Sequence, residues 1–129
     1  VTLAFVHFAT FVREFDRLGL TDEDLVALEK LIAADPNRGD VMKGTGGLRK
    51  IRFAPPSRHI GSSGGCRAAY FYFPIFATVY FFLLFAKNDQ SNLTPEERAG
   101  AKRFADRLDA YYAAVAAKSA AKESRRRTK

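Results

Sequence analysis

Gly39-Asp40-Val41-Met42-Lys43-Gly44-Thr45-Gly46-Gly47-Leu48-Arg49-Lys50-Ile51-Arg52-Phe53 is a glycine-punctuated turn that runs into a short strand. Side chains on a strand alternate between faces, so Lys50 and Arg52 share one face while Ile51 and Phe53 take the other. One face is fit to enter a core, and the other to meet something anionic. Val41-Met42 begins a strand ahead of the turn, which makes the run a β-turn-β unit. Downstream, Gly64-Gly65-Cys66-Arg67 opens a further strand and Phe85-Ala86-Lys87-Asn88 closes another. Cations at strand ends suggest a phosphate site.

Working outward, Ala68 to Ala86 is 19 residues without a charge. That length would span a bilayer as a helix. Aromatic and β-branched residues crowd it, however, Pro74 interrupts it, and cations flank both ends. Two buried strands joined by a turn near Phe73 to Ala77 account for it better. An apolar turn of that kind, Phe73-Pro74-Ile75-Phe76-Ala77, is a candidate for self-association.

On the N-terminal side, Leu3 to Val6 reads as a strand. Phe8, Phe11, Val12 and Phe15 recur at helical spacing up to Gly19. Thr21 is a natural N-cap followed by Asp22, Glu23 and Asp24, which suit the positive end of a helix dipole. Leu25, Leu28, Leu31 and Ile32 form that helix's stripe, and Asp35-Pro36 ends it. Pro55 to Gly65 is a loop. Thr94-Pro95-Glu96-Glu97 starts a last helix with a capping box and proline at its first position, continued by Phe104, Leu108, Tyr111 and Val115. The expected order is β-α-α-β-β-β-β-α. This is an α+β fold with a small antiparallel sheet (a mixed edge allowed), two N-terminal helices packed on it and a C-terminal helix. Residues 1–117 form a single domain, and 118–129 read as a basic, disordered tail.

The chain's 129 residues, 47% of them apolar, fit one domain with a modest core. The net charge is +7, and its placement is informative. Residues 1–37 hold three Lys/Arg against seven Asp/Glu, residues 38–87 eight against one, and residues 118–129 six against one. Positive charge concentrated in the central strands is the footprint expected of nucleic-acid binding. The lone Cys66 precludes an intrachain disulfide and fits a reducing compartment. No secretory leader pattern is evident, so the expected location is cytoplasmic, with no membrane partner.

The motifs Gly39-Asp40-Val41, Thr45-Gly46-Gly47-Leu48-Arg49-Lys50-Ile51-Arg52, Gly64-Gly65-x-Arg67 and Lys87-Asn88 with Leu93-Thr94 resemble, in order and spacing, the HigB-like branch of the RelE/ParE toxin superfamily. The resemblance covers roughly residues 3–110. It implies a toxin of a type II toxin–antitoxin module with helices on one face of an antiparallel sheet. The implied activity is a ribosome-dependent endoribonuclease cutting translated mRNA, without metal or cofactor. The implied partners are mRNA on the ribosome and a helix-turn-helix antitoxin. Two alternatives share the fold: a ParE-like inhibitor of gyrase, and a catalytically degenerate toxin acting as a binding partner.

Metal-free RNA cleavage needs removal of the 2′ proton, stabilisation of the phosphorane and protonation of the 5′ oxygen. His7 and His59 are too few and too far apart in sequence to assume a pair. RelE-like toxins use Lys and Arg, and the resemblance carries these roles over by position. Arg67 and Lys87 are the catalytic candidates, Arg67 on the phosphate and Lys87 as general acid or base. Lys50 and Arg52 hold the scissile phosphate, Arg49 and Arg58 contact RNA, and His59 is a further candidate. Three places depart from the pattern. The loop Ser57 to Ser63 carries only Arg58 and His59 where the family is rich in Lys and Arg. Leu93 stands near the place of a base-stacking tyrosine. The hairpin turn is apolar where charge is usual.

Overall fold

The computed structural model describes residues 2–58, 65–86 and 93–127. Its elements are β1 (Ala4–His7), α1 (Ala9–Arg17), α2 (Asp22–Ala34), β2 (Asp40–Val41), β3 (Arg49–Phe53), β4 (Cys66–Phe73), β5 (Thr78–Ala86) and α3 (Pro95–Arg127). Short 3-10 turns occupy Pro56–Arg58 and Pro74–Phe76. This is the order expected from sequence. The five strands lie in the order β1-β5-β4-β3-β2. All neighbours are antiparallel except β1, which runs parallel to β5 and gives the sheet its mixed edge.

The apolar run 68–86 is the β4–β5 hairpin at the centre of the sheet. Both faces of a central hairpin are buried, which is why its sequence shows little alternation. Phe82 is an extra residue in β5, because Ala69 pairs with Leu83 and Tyr70 with Phe81. The carbonyl of this bulged residue is not left bare, since it accepts a hydrogen bond from Thr10 Oγ1 at 2.6 Å. Among the described residues, no helix is long and apolar enough to cross a membrane.

One core lies between the sheet and helices α1 and α2. Phe11, Phe15, Leu28 and Ile32 meet Ile51, Phe53, Tyr70, Val79 and Phe81 there. A second core lies on the other face, where Leu48, Ala69, Phe71 and Leu83 meet Leu93, Ala101 and Ala105. The helices therefore cover both faces of the sheet, rather than the single face implied by resemblance. The physical reason is the hairpin composition: Phe71, Phe73, Tyr80 and Phe82 form an aromatic layer opposite α1 and α2, and it requires a cover. Phe104 of α3 packs within it, with its ring centroid 5.1 Å from Tyr80 and 5.4 Å from Phe71.

Both expected helix caps are present. Thr21 and Asp24 exchange bonds of 2.9 and 3.2 Å at the start of α2. Thr94 and Glu97 exchange bonds of 2.9 and 3.1 Å at the start of α3. Helix α3 does not stop near residue 117 but continues through the basic segment to Arg127. Alanine, lysine, arginine and glutamate rank among the best helix formers, so a segment solvated on every side keeps the helix going. Its composition had suggested a disordered tail.

Candidate functional site

The turn of Gly44 to Gly47 works through its hydroxyl and its glycines. Thr45 Oγ1 donates to Met42 O at 2.6 Å and accepts from Leu48 N at 3.0 Å. Gly46 has φ +77°, and a Cβ there would sit 2.6 Å from Ala105 Cβ of α3. The turn thus packs directly on α3 and launches β3 at a fixed register. At the other end of β3, a Cβ on Gly65 would run into the carbonyl oxygen of Phe53. Glycine at that position lets β4 begin hard against β3.

That close start fixes the key geometry. Arg52 and Arg67 are directly opposed across β3 and β4, and Lys50 is opposed to Ala69 two positions along. The three cations share the face of β3 and β4 that carries Leu48, Ala69 and Phe71 further along, because strand side chains alternate. Lys50, Arg52 and Arg67 all line one open cleft of about 830 Å³ along the edge of β3, with Ala27 and Leu31 of α2 on its other side. Arg52 is exposed, and Lys50 and Arg67 are half-buried. Arg67 donates to the carbonyl of Cys66 at 3.2 Å.

Two further charged residues line this cleft: Arg38 and Asp40. Neither was expected from the sequence, because both precede the glycine turn and neither belongs to an alternating strand pattern. Asp40 is placed by pairing, opposite Lys50 on the adjacent strand. Arg38 is placed by two tethers on its loop. Tyr70 donates its hydroxyl to Pro36 O at 2.8 Å and accepts from Gly39 N at 3.1 Å. Arg49 donates to the carbonyls of Asn37 and Gly39 at 2.9 and 2.7 Å. Burial pushes the Tyr70 phenol above its ordinary value, partly opposed by the Gly39 hydrogen bond and the nearby Arg49 charge. The hydroxyl therefore stays protonated as a donor.

The remaining expected residues fall elsewhere. Arg49 is occupied on the loop carbonyls just described, and Arg58 donates to the carbonyl of Leu18; neither lines the cleft. Lys87 and His59 lie outside the described residues. Lys87 follows Ala86, whose partner across the hairpin is Cys66, the residue before Arg67. His7 lies 2.9 Å from Glu29 and stacks on Phe81, far along the sheet from Arg67.

Asp24, in the first turn of α2, lies outside the cleft lining. It is buried, and its carboxylate accepts from Ser57 N at 3.0 Å and Ser57 Oγ at 2.7 Å in addition to capping α2. Burial alone would raise its pKa, but the bonds from Ser57 and Thr21 together hold the carboxyl below its ordinary value. The anion thereby ties α2 to the segment that follows β3.

A cationic cleft at the meeting of β3 and β4 can bind a phosphodiester with bidentate arginine contacts and stabilise charge developing on it. A family model described as the RelE toxin of the RelE/RelB toxin–antitoxin system matches residues 6–124. Among solved structures, a mutant of the E. coli toxin RelE in the free state matches with a TM-score of 0.51. That match has 13% identity and covers 80% of this chain and 97% of the E. coli chain, so it speaks to the fold. With nearly its whole length matched by the family model, the chain belongs to the RelE toxin family of toxin–antitoxin systems.

Proposed function

We propose that this toxin is a ribosome-dependent endoribonuclease that cuts translated mRNA by attack of the 2′-hydroxyl on the adjacent phosphate. The observation that carries the reading is the convergence of Lys50, Arg52 and Arg67 in one cleft, with the two arginines directly opposed. Like charges facing each other across a sheet are unfavourable without a counter-ion. A scissile phosphate seated between them turns that repulsion into two charge-assisted contacts, which strengthen as the phosphorane gains charge. In this reading Arg67 and Arg52 bracket the phosphate, Lys50 orients it, and Lys87 takes the proton from the attacking 2′-hydroxyl and returns it to the departing 5′ oxygen. Arg38 extends the cationic wall towards a neighbouring phosphate. The ribosome supplies the extended mRNA, and an antitoxin of helix-turn-helix type covers the toxin until it is released.

The test is induction of the chain in bacteria, with new 5′ ends mapped on translated mRNA. The expected result is growth arrest with cuts inside reading frames, abolished by Arg67→Ala. Arrest with intact mRNA and damaged DNA would assign the chain to the gyrase inhibitors. No arrest would mark it as a degenerate toxin that only binds.

A further inference from the structure

Helix α3 passes the hairpin turn at Tyr112, whose ring meets Phe76 edge-on at 5.6 Å. From there to Arg126 every residue is exposed. At 1.5 Å per residue this projecting part is about 21 Å long. Nothing in either core explains why it should be helical or basic.

Its charges are ordered. At 100° per residue, Lys118, Lys122, Arg125 and Arg126 fall within an arc of roughly 100° and span about 12 Å of helix. The acidic residues of α3 from Asp106 onward, namely Asp106, Asp109 and Glu123, all fall outside that arc. Positions i, i+4 and i+7 or i+8 lie along one side of a helix, so the arc concentrates positive charge on that side of α3.

We propose that this arc is a second RNA-binding surface, gripping the phosphates of double-helical RNA independently of sequence. The inference rests on the reading of this chain as acting on RNA, but it uses none of the cleft. The residues between the cations decide among anionic partners. They are Ser119, Ala120, Ala121, Glu123 and Ser124. A helix lying on an anionic membrane needs large apolar side chains beside its cations, and the last such residue is Val115. A single-stranded RNA platform needs aromatic rings among the cations, and the last of these is Tyr112. A slim polar helix whose cations gather on one arc, with Glu123 outside it, suits a duplex backbone, which is recognised by shape and phosphates.

The probe is a fluorescein-labelled RNA hairpin of about 20 base pairs, a length sufficient for a helix to cross one groove. Binding to the full chain is followed by anisotropy over a salt series. The variant Lys118→Gln, Lys122→Gln, Arg125→Gln, Arg126→Gln keeps helix propensity, and far-UV circular dichroism verifies its fold. It should lose at least about tenfold in affinity near 0.1 M salt, with the slope of log K against log salt falling by roughly 3. A chain lacking residues 118–129 should lose the same. The cleft variant Arg52→Gln, Arg67→Gln should retain most of the hairpin affinity while losing cleavage of ribosome-bound mRNA, so the two surfaces fail separately. The proposal is overturned if the wild type does not bind the hairpin, or if the α3 variant binds as tightly with the same slope. Tighter binding to phosphatidylserine vesicles than to the hairpin overturns it as well.

Discussion

Arg52 and Arg67 stand directly opposite each other on adjacent antiparallel strands, and both line the cleft at the edge of β3. A cross-strand like-charge pair costs a few tenths of a kcal/mol. Replacing Arg67 with Gln should therefore leave the fold as stable as wild type or slightly more so, by urea titration. Cleavage of translated mRNA should fall by about 100-fold or more, the scale of losing one preorganised charge contact. A destabilised Arg67→Gln protein would show that the pair is held by a structural anion rather than by substrate.

The same pairing yields a ligand effect. A cleft that takes the scissile phosphate should also take inorganic phosphate in the folded chain and not in the unfolded one, so phosphate should raise Tm by an amount that grows with the logarithm of its concentration. The rise should vanish in the Arg52→Gln, Arg67→Gln double variant. Equal rises in both proteins, measured against a chloride series of matched ionic strength, would place phosphate elsewhere.

How much of this was legible in the sequence depends on whether a pattern or a packing decision set it. Alternation placed Lys50 and Arg52 on one face, and capping chemistry placed Thr21 and Thr94 at helix starts, because both are local rules. The register that puts Arg52 opposite Arg67 is not local. It depends on Gly65 allowing β4 to start against Phe53. Arg38 was missed because its position comes from Tyr70, a residue 32 places away whose hydroxyl holds the loop on either side of it. Arg49 looked like a third cation for RNA, yet alternation turns it away from Lys50, where two loop carbonyls meet it. The side of the sheet taken by α3 was also hidden. That choice follows from the aromatic layer on the second face of the hairpin, and a charge-free run does not reveal how its residues divide between faces.

Asp24 makes an acid-sensitive joint. Its folded-state pKa lies below the ordinary value of 3.8. Its contribution to stability is therefore complete above the unfolded pKa of about 3.9 and is lost as pH falls through the folded value. Asp24→Asn removes the charge-assisted bonds to Ser57 and half of the α2 cap, and should cost about 1–3 kcal/mol at pH 7. The gap between wild type and variant should narrow below about pH 4 in urea titrations. A constant gap from pH 7 to pH 2 would mean that the carboxylate's charge contributes nothing.

Tyr70 joins the buried core to the loop that presents Arg38. Tyr70→Phe keeps the ring and leaves Gly39 N and Pro36 O without their partner, at a cost of about 1–3 kcal/mol. Amide exchange should quicken at Gly39 while the amides of β4 stay protected, and activity should fall more than stability does. The phenol's raised pKa sets the pH window: the hydroxyl's contribution is complete below about pH 10 and is lost as pH rises through the higher folded value. Unchanged exchange at Gly39 would show that Arg49 alone holds the loop.

Gly46 is the contact on which α3 closes over the sheet. Alanine there must adopt φ +77° and bring its Cβ within 2.6 Å of Ala105. Strain at that φ costs about 1–2 kcal/mol, and overpacking against a helix adds about 1–3. The two separate experimentally. Gly46→Ala should lower stability by roughly 2 kcal/mol or more. Adding Ala105→Gly should recover the steric part but not the backbone part, so the double variant should lie between the parent and the single variant once the helix cost of glycine is subtracted, about 1 kcal/mol. The Ala105→Gly single variant supplies that correction. A corrected double variant as unstable as Gly46→Ala alone would show that φ at residue 46, and not its contact with α3, limits what this turn accepts.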